Sequence, residues 1–218
     1  MIQSILVFGG TGRTGRHVVR EALNKGHWVT VMSRNPEQAN FEEHSRLEVV
    51  KGDVLNYTDV FNAVQGIDVI ISALGRDGNK VEVFTTGTAH ILKAMTKSRV
   101  KRFICLSSLG AGSTRSLVGW KLRMLLWLTH LKSSFEAKAH QELLLFQSSI
   151  NFTLVMAGTL VNDSRFNQWY VALPDQMICQ GPMPAKIDRR EVAVFLISQL
   201  SDTTWTRKTV CLVGAANA

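Results

Sequence analysis

Near its start the chain follows four apolar residues with four glycines in seven positions: "ILVFGGTGRTG", residues 5–15. Inside a strand or a helix each such glycine would cost roughly 0.5 to 1 kcal/mol relative to alanine. The run therefore marks a turn that something must approach closely. "GTGRTG", Gly10 to Gly15, satisfies G-x-G-x-x-G, and Gly9, Gly12 and Gly15 also satisfy G-x-x-G-x-x-G. Helical patterning follows from Arg13 to Lys25. A strand, a glycine turn and a helix make a dinucleotide site: glycine permits the tight turn, the pyrophosphate nears the backbone, and the helix N–H groups and dipole hold the anion. Gly9, Thr11, Gly12, Arg13, Thr14 and Gly15 are the residues assigned to that contact.

The rest of the chain repeats the same alternation. Ile5–Phe8, Trp28–Met32, Leu47–Val50, Val69–Ile71, Phe103–Leu106 and Phe152–Met156 are short and apolar on both faces, as buried parallel strands are. Segments of helical length lie between them, such as Thr58–Val64, Val83–Thr96 and Glu136–Phe146. This predicts an α/β fold with a doubly wound, mostly parallel Rossmann-type sheet. With 218 residues the chain fits a single domain, 1–218, with a small C-terminal substrate-side portion. Near the end, "QMICQGPMPAKIDRREVAVFL" reads as a strand, a proline-rich turn and a helix capped by Asp188.

Composition excludes several classes. Three scattered cysteines form no disulfide framework or zinc motif; His17 and His90 read as ordinary helix residues and His130 and His140 lack a carboxylate arrangement, so no metal is expected. No signal sequence and no apolar run of membrane-spanning length occurs, so the expectation is a cytoplasmic protein with no membrane span. The net charge of +8 favours anionic partners, but Lys and Arg are scattered without the stripe of a nucleic-acid groove, so nucleic acid is not expected.

The end of the second strand decides which dinucleotide. An NAD enzyme carries an acid there for the ribose 2′-hydroxyl, whereas this chain reads "VTVMSRNPEQ". Ser33 and Arg34 stand in the acid's place, and a guanidinium pairs with a 2′-phosphate, so NADP(H) is favoured. Arg34 as a solvated loop cation and Glu37 as a displaced acid are the competing readings.

"GGTGRTG", "GDV" at 52–54, "ISALG" at 71–75, "SSLGAG" at 107–112 and "IDRREVAVFLISQL" at 187–200 together resemble the atypical short-chain dehydrogenase/reductases. Within them the sequence is most similar to the NmrA-like and biliverdin-IXβ/flavin reductase branch. The resemblance spans nearly the whole chain and is weakest between about Thr114 and Ser134. It implies that Asp53 and Val54 flank the adenine, that Ala73, Leu74 and Gly75 line the middle of the cofactor, and that Ser107 and Ser108 face the nicotinamide.

One departure from that family changes the expected chemistry. Its dehydrogenases use a Tyr-x-x-x-Lys pair, in which tyrosine transfers the substrate proton. Here Lys138 matches the lysine, but Ser134 stands four residues earlier. Hydride transfer needs only the nicotinamide, and a conjugated acceptor can take its proton later, so the expected reaction is NADPH-dependent reduction of a planar acceptor such as a flavin or a biliverdin-like linear tetrapyrrole. Ser108 and Lys138 are the catalytic candidates, against readings as strand-end turn chemistry and a helix-surface cation. A non-catalytic NADP(H)-binding redox sensor or assembly factor of the NmrA-like type is the alternative.

Between Arg115 and Phe135 the chain is apolar on nearly all sides, with Trp120 and Trp127 seven apart and basic residues interspersed. An insertion at about 113–134 reads as a lid over the site, as a helix packed against the sheet or a subunit partner, or, less favoured, as a basic helix docking on a membrane surface. Trp120, Thr159 and Trp169 join Ser108 as candidate substrate contacts, because aromatic faces stack on planar ligands. The sequence favours a monomer slightly and does not name the acceptor.

Overall fold

The computed structural model describes residues 1–75, 80–119, 124, 131–166, 168–172 and 186–215. Eight strands form the central sheet: β1 (Ser4–Phe8), β2 (Trp28–Ser33), β3 (Leu47–Lys51), β4 (Val69–Ser72), β5 (Arg102–Ser108), β6 (Asn151–Ala157), β8 (Gln168–Ala172) and β10 (Lys208–Ala215). Their spatial order is β3-β2-β1-β4-β5-β6-β10-β8. Every pairing is parallel except β10 with β8. Two short strands, β7 (Thr159–Val161) and β9 (Lys186–Asp188), pair beside the sheet.

The burial of the strands explains the near-continuous apolar runs. Ile5, Leu6, Val7, Ile70, Ile71, Phe103 and Ile104 have no accessible surface, because helices cover both faces. On one face lie α1 (Gly15–Asn24) and α5 (Arg189–Ser198), whose Val18, Val19, Ala22, Val192 and Leu196 pack on Val7, Ile71 and Ile104. On the other lie α2 (Tyr57–Ala63), α3 (Glu82–Thr96) and α4 (Leu131–Gln147), with Phe84, Ile91 and Leu145 against Leu6, Phe103 and Phe152. Strand order reverses between β1 and β4, and open α/β sheets bind ligands outside the carboxyl ends at such a point.

Two buried carboxylates tie in the outer elements. Glu142 on α4 accepts from the Ser113 N–H at 2.9 Å and from Thr209 Oγ1 at 3.2 Å, joining the 3₁₀ turn Gly112–Leu117 to β10. Asp188 caps α5 by accepting from the Arg190 N–H at 2.8 Å, and it also accepts from the Asp163 N–H at 2.8 Å and from Arg190 Nε at 2.9 Å. The Arg190 side chain, followed by these backbone donors, holds the Asp188 carboxyl at about 2. A carboxyl depressed in the fold stabilises above its unfolded value and loses that contribution as pH falls through its folded value. Asp188→Asn is therefore expected to cost on the order of 1–2 kcal/mol at neutral pH, with the difference from wild type closing between pH 4 and 2. Urea melts at pH 7 and pH 2.5 would check both.

Four of the described strands, β7 to β10, lie beyond the expected set. β10 buries Val210, Cys211, Leu212 and Val213, and β8 carries Trp169, one of the candidate substrate contacts. The strand read at the start of "QMICQGPMPAKIDRREVAVFL" lies outside the described residues. Among the described residues no helix is long and apolar enough to cross a membrane.

Candidate functional site

The chain leaves β1 at Phe8 and turns at once, with Gly9 at φ +75°, where a Cβ would sit 2.7 Å from Ala73 O. Only glycine lets the turn nestle between β1 and the end of β4. The turn closes with the Gly12 N–H on Gly9 O at 3.0 Å, and α1 starts as the Arg16 N–H reaches Gly12 O at 3.0 Å. Gly15 sits directly on this turn, and a Cβ there would overlap Gly9 O and approach Gly10 Cα to 2.7 Å. Among the described residues the N–H groups of Arg13 and Thr14 meet no backbone acceptor, so they stand ready for an anion at the helix start.

From this turn a cleft of about 660 Å³ runs along the carboxyl ends of the strands. Gly9, Thr11, Gly12, Arg13 and Thr14 line its first wall, and Arg34, Asp53 and Val54 line one end. Ala73, Leu74 and Gly75 form the middle, and Ser107, Ser108 and Lys138 the other end. Gly15 does not line the cleft; it lies behind the turn as a packing position. Glu37 is exposed on the 3₁₀ turn Pro36–Gln38 and is not among the lining residues, while Arg34 is. Asp53 accepts from the Leu55 N–H at 2.9 Å, which fixes the turn into α2.

The Ser108 end has the least ordinary chemistry. Lys138 on α4 donates from Nζ to Ser108 Oγ at 2.7 Å across β5, and its ammonium lies 5.0 Å from the Phe84 ring centroid. Burial lowers the Lys138 pKa to about 8, and burial likewise pushes the neighbouring Cys105 thiol up to about 12. Among the described residues, Ser134, one turn before Lys138, is buried with no partner for its Oγ, and Ser107 Oγ is likewise buried without a partner at the cleft wall. An orphaned buried hydroxyl is costly unless a ligand or water completes it. Ser107 and the glycine cradle thus fit a dinucleotide: a close backbone approach at the phosphates and a free hydroxyl at the far end.

The remaining candidates lie apart. Thr159 opens β7 and is exposed beside the cleft, whose wall takes its neighbour Leu160 instead. Trp169 sits on β8 with its ring edge-on to Phe195 at 5.3 Å and an indole hydrogen bond to Glu191, on the α5 side. Trp120 and residues 121–123 and 125–130 lie outside the described residues. Among the described residues no cluster of His, Cys, Asp or Glu could hold a metal. Sequence reasoning missed Arg189, which lines the cleft from the start of α5. Its signal was present in "IDRRE", where attention went to the capping Asp188.

Residues 9–203 match the family model described as NAD(P)H-binding. The chain belongs to the NAD(P)H-binding family. Over 99% of its length it is 29% identical to an uncharacterized chloroplastic protein of Arabidopsis thaliana, spanning 78% of that protein. Over 97% of its length it is 24% identical to the photosystem II assembly factor Ycf39 of Synechocystis, spanning 62% of it. Among solved structures, a Veillonella parvula short-chain dehydrogenase/reductase in complex with NADP superposes with a TM-score of 0.82 at 19% identity, over 98% of this chain and 95% of that one. ChuY, an anaerobillin reductase of Escherichia coli O157:H7, superposes at 0.76 with 16% identity, over 99% and 98%. A provisional NADH-flavin reductase of Streptococcus pneumoniae does so at 0.76 with 17%, over 98% and 100%. These likenesses establish an NAD(P)H-binding domain with the fold of the atypical short-chain reductases.

Proposed function

We propose that this NAD(P)H-binding protein is an NADPH-dependent reductase of a planar conjugated acceptor, a flavin or a linear tetrapyrrole. The observation that carries the reading is the Lys138–Ser108 pair: a buried ammonium joined to a strand-end hydroxyl at one end of the cleft, with Ser134 where a tyrosine acid would stand. Bound NADPH supplies the hydride. The glycine turn and the N–H groups of Arg13 and Thr14 would hold the phosphates, and Ala73 to Gly75 would line the middle of the cofactor. Ser107 Oγ would offer a hydrogen bond at the nicotinamide end. Lys138 keeps a proton on or beside Ser108 Oγ, where it meets the negative charge that reduction leaves on the acceptor. Ser134 is too short to take the tyrosine's place, so an unconjugated ketone, whose alkoxide must be protonated at once, is a poor substrate.

Steady oxidation of NADPH with FMN, FAD, riboflavin or biliverdin offered in turn is the expected behaviour, and its absence with all of them refutes the reading. A second reading draws on the Synechocystis relative: a binder of NADP(H) that reports redox state during assembly of a larger complex. It would bind NADPH tightly and leave it unoxidised in the same experiment.

Cofactor choice rests on Arg34 at the end of β2. Arg34→Glu is expected to lower the preference for NADPH over NADH by about 100-fold, since a bidentate phosphate contact becomes a repulsion. Parallel titrations with the two nucleotides measure it, and an unchanged ratio would remove Arg34 from the account.

A further inference from the structure

Arg189 is nine-tenths buried, yet it is charged and lines the cleft. Its guanidinium makes one hydrogen bond among the described residues, from Nη1 to the neutral Asn162 Oδ1 at 2.8 Å. Asp188, the carboxylate next to it in the chain, is already taken by Arg190 and by the Asp163 N–H. Arg13 of the glycine turn also lines the cleft, and its like charge weighs against that of Arg189 while Asp188 favours it. A buried cation with no carboxylate in hydrogen-bond contact among the described residues, close to a second cation, is unfavourable unless an anion comes between them. Structural arginines are ordinarily paired with a carboxylate, and among the described residues this one makes no ion pair.

We propose that Arg189 and Arg13 form a two-guanidinium site for a phosphoryl or carboxylate group entering the cleft beside Leu160. The proposal rests on the reading of the cleft as the cofactor and acceptor site and adds the chemical demand that one ligand present an anionic arm there. Two sources have that chemistry: the diphosphate of the cofactor, or a phosphate or acid side arm of the acceptor. Arginine suits either, because its fork pairs with two oxygens at once.

The test uses the whole protein and inorganic pyrophosphate as the first probe, followed by calorimetry. Arg189→Met is expected to weaken pyrophosphate by about tenfold or more, as loss of a desolvated charge partner does. Asn162→Ala is expected to leave it unchanged. Arg189→Gln, which keeps a donor for Asn162, repeats the measurement should Arg189→Met fail to fold. An equal loss in NADPH affinity assigns the anion to the cofactor. A rise in KM for FMN with riboflavin unchanged, and NADPH affinity intact, assigns it to the acceptor. Pyrophosphate binding as in wild type, with the Arg189 and Asn162 variants equally lowered in melting temperature, would make Arg189 a structural link only and overturn the proposal. Because the pyrophosphate and NADPH titrations need no turnover, they decide this site even if the protein reduces none of the acceptors.

Discussion

Gly15→Ala is expected to abolish high-affinity NADPH binding and to lower stability by about 1–3 kcal/mol or more, the cost of overpacking a site that cannot relax. A Cβ at this position meets only backbone: Gly9 O, Gly9 C and Gly10 Cα. No rotamer change relieves that contact. Either α1 moves away from the sheet, breaking the packing of Val18 and Val19, or the turn moves, and with it the N–H groups of Arg13 and Thr14. Both routes reach the cofactor, and an affinity loss of about 100-fold corresponds to roughly 2.8 kcal/mol. Thermal melts with and without NADPH separate the two effects. A variant that melts and binds as wild type would mean the turn is not held as described.

Lys138→Met should do the opposite to stability and more to activity. The ammonium is buried beside Phe84 and Cys105, so replacing it with an apolar chain of similar length is expected to leave the melting temperature unchanged or higher. Turnover is expected to fall by about 10²- to 10⁴-fold, the usual worth of a positioned proton donor. The pH dependence adds an independent signature. Lys138 is protonated below about 8 in the fold, so kcat/KM should fall as pH rises through that value. Because the unfolded chain keeps its proton up to 10.5, unfolding takes up a proton between 8 and 10.5, and wild-type stability should rise relative to Lys138→Met over that window. A variant that keeps full activity, or a flat profile near pH 8, removes Lys138 from the chemistry.

How far the sequence reaches depends on how local each feature is. The glycine turn, the six parallel strands and the cap at Asp188 are legible because each follows from a few adjacent residues: spacing, apolar runs, a carboxylate before a helix. β8 is not of that kind. "QWYVA" becomes a strand because it pairs antiparallel with the end of the chain, Gln168 opposite Ala215, and no local signal names that partner. That pairing also sets Trp169 edge-on to Phe195 on α5. Lys138 was legible by its spacing from Ser134, but its bond to Ser108 bridges thirty positions and required the α4–β5 packing. Arg189 was hidden for the same reason. Its importance comes from what it lacks nearby, and a missing counter-charge is a property of the folded surroundings.

The most direct measurement mixes the protein already loaded with NADPH against FMN, and separately biliverdin, and follows the nicotinamide absorbance through a single turnover, with hydrogen and then deuterium at the transferred position. The account expects oxidation of bound NADPH by at least one of these acceptors, slower with deuterium, and slower again in Lys138→Met. Tight binding of NADPH with no oxidation by either would contradict it and leave a nucleotide-sensing role in its place.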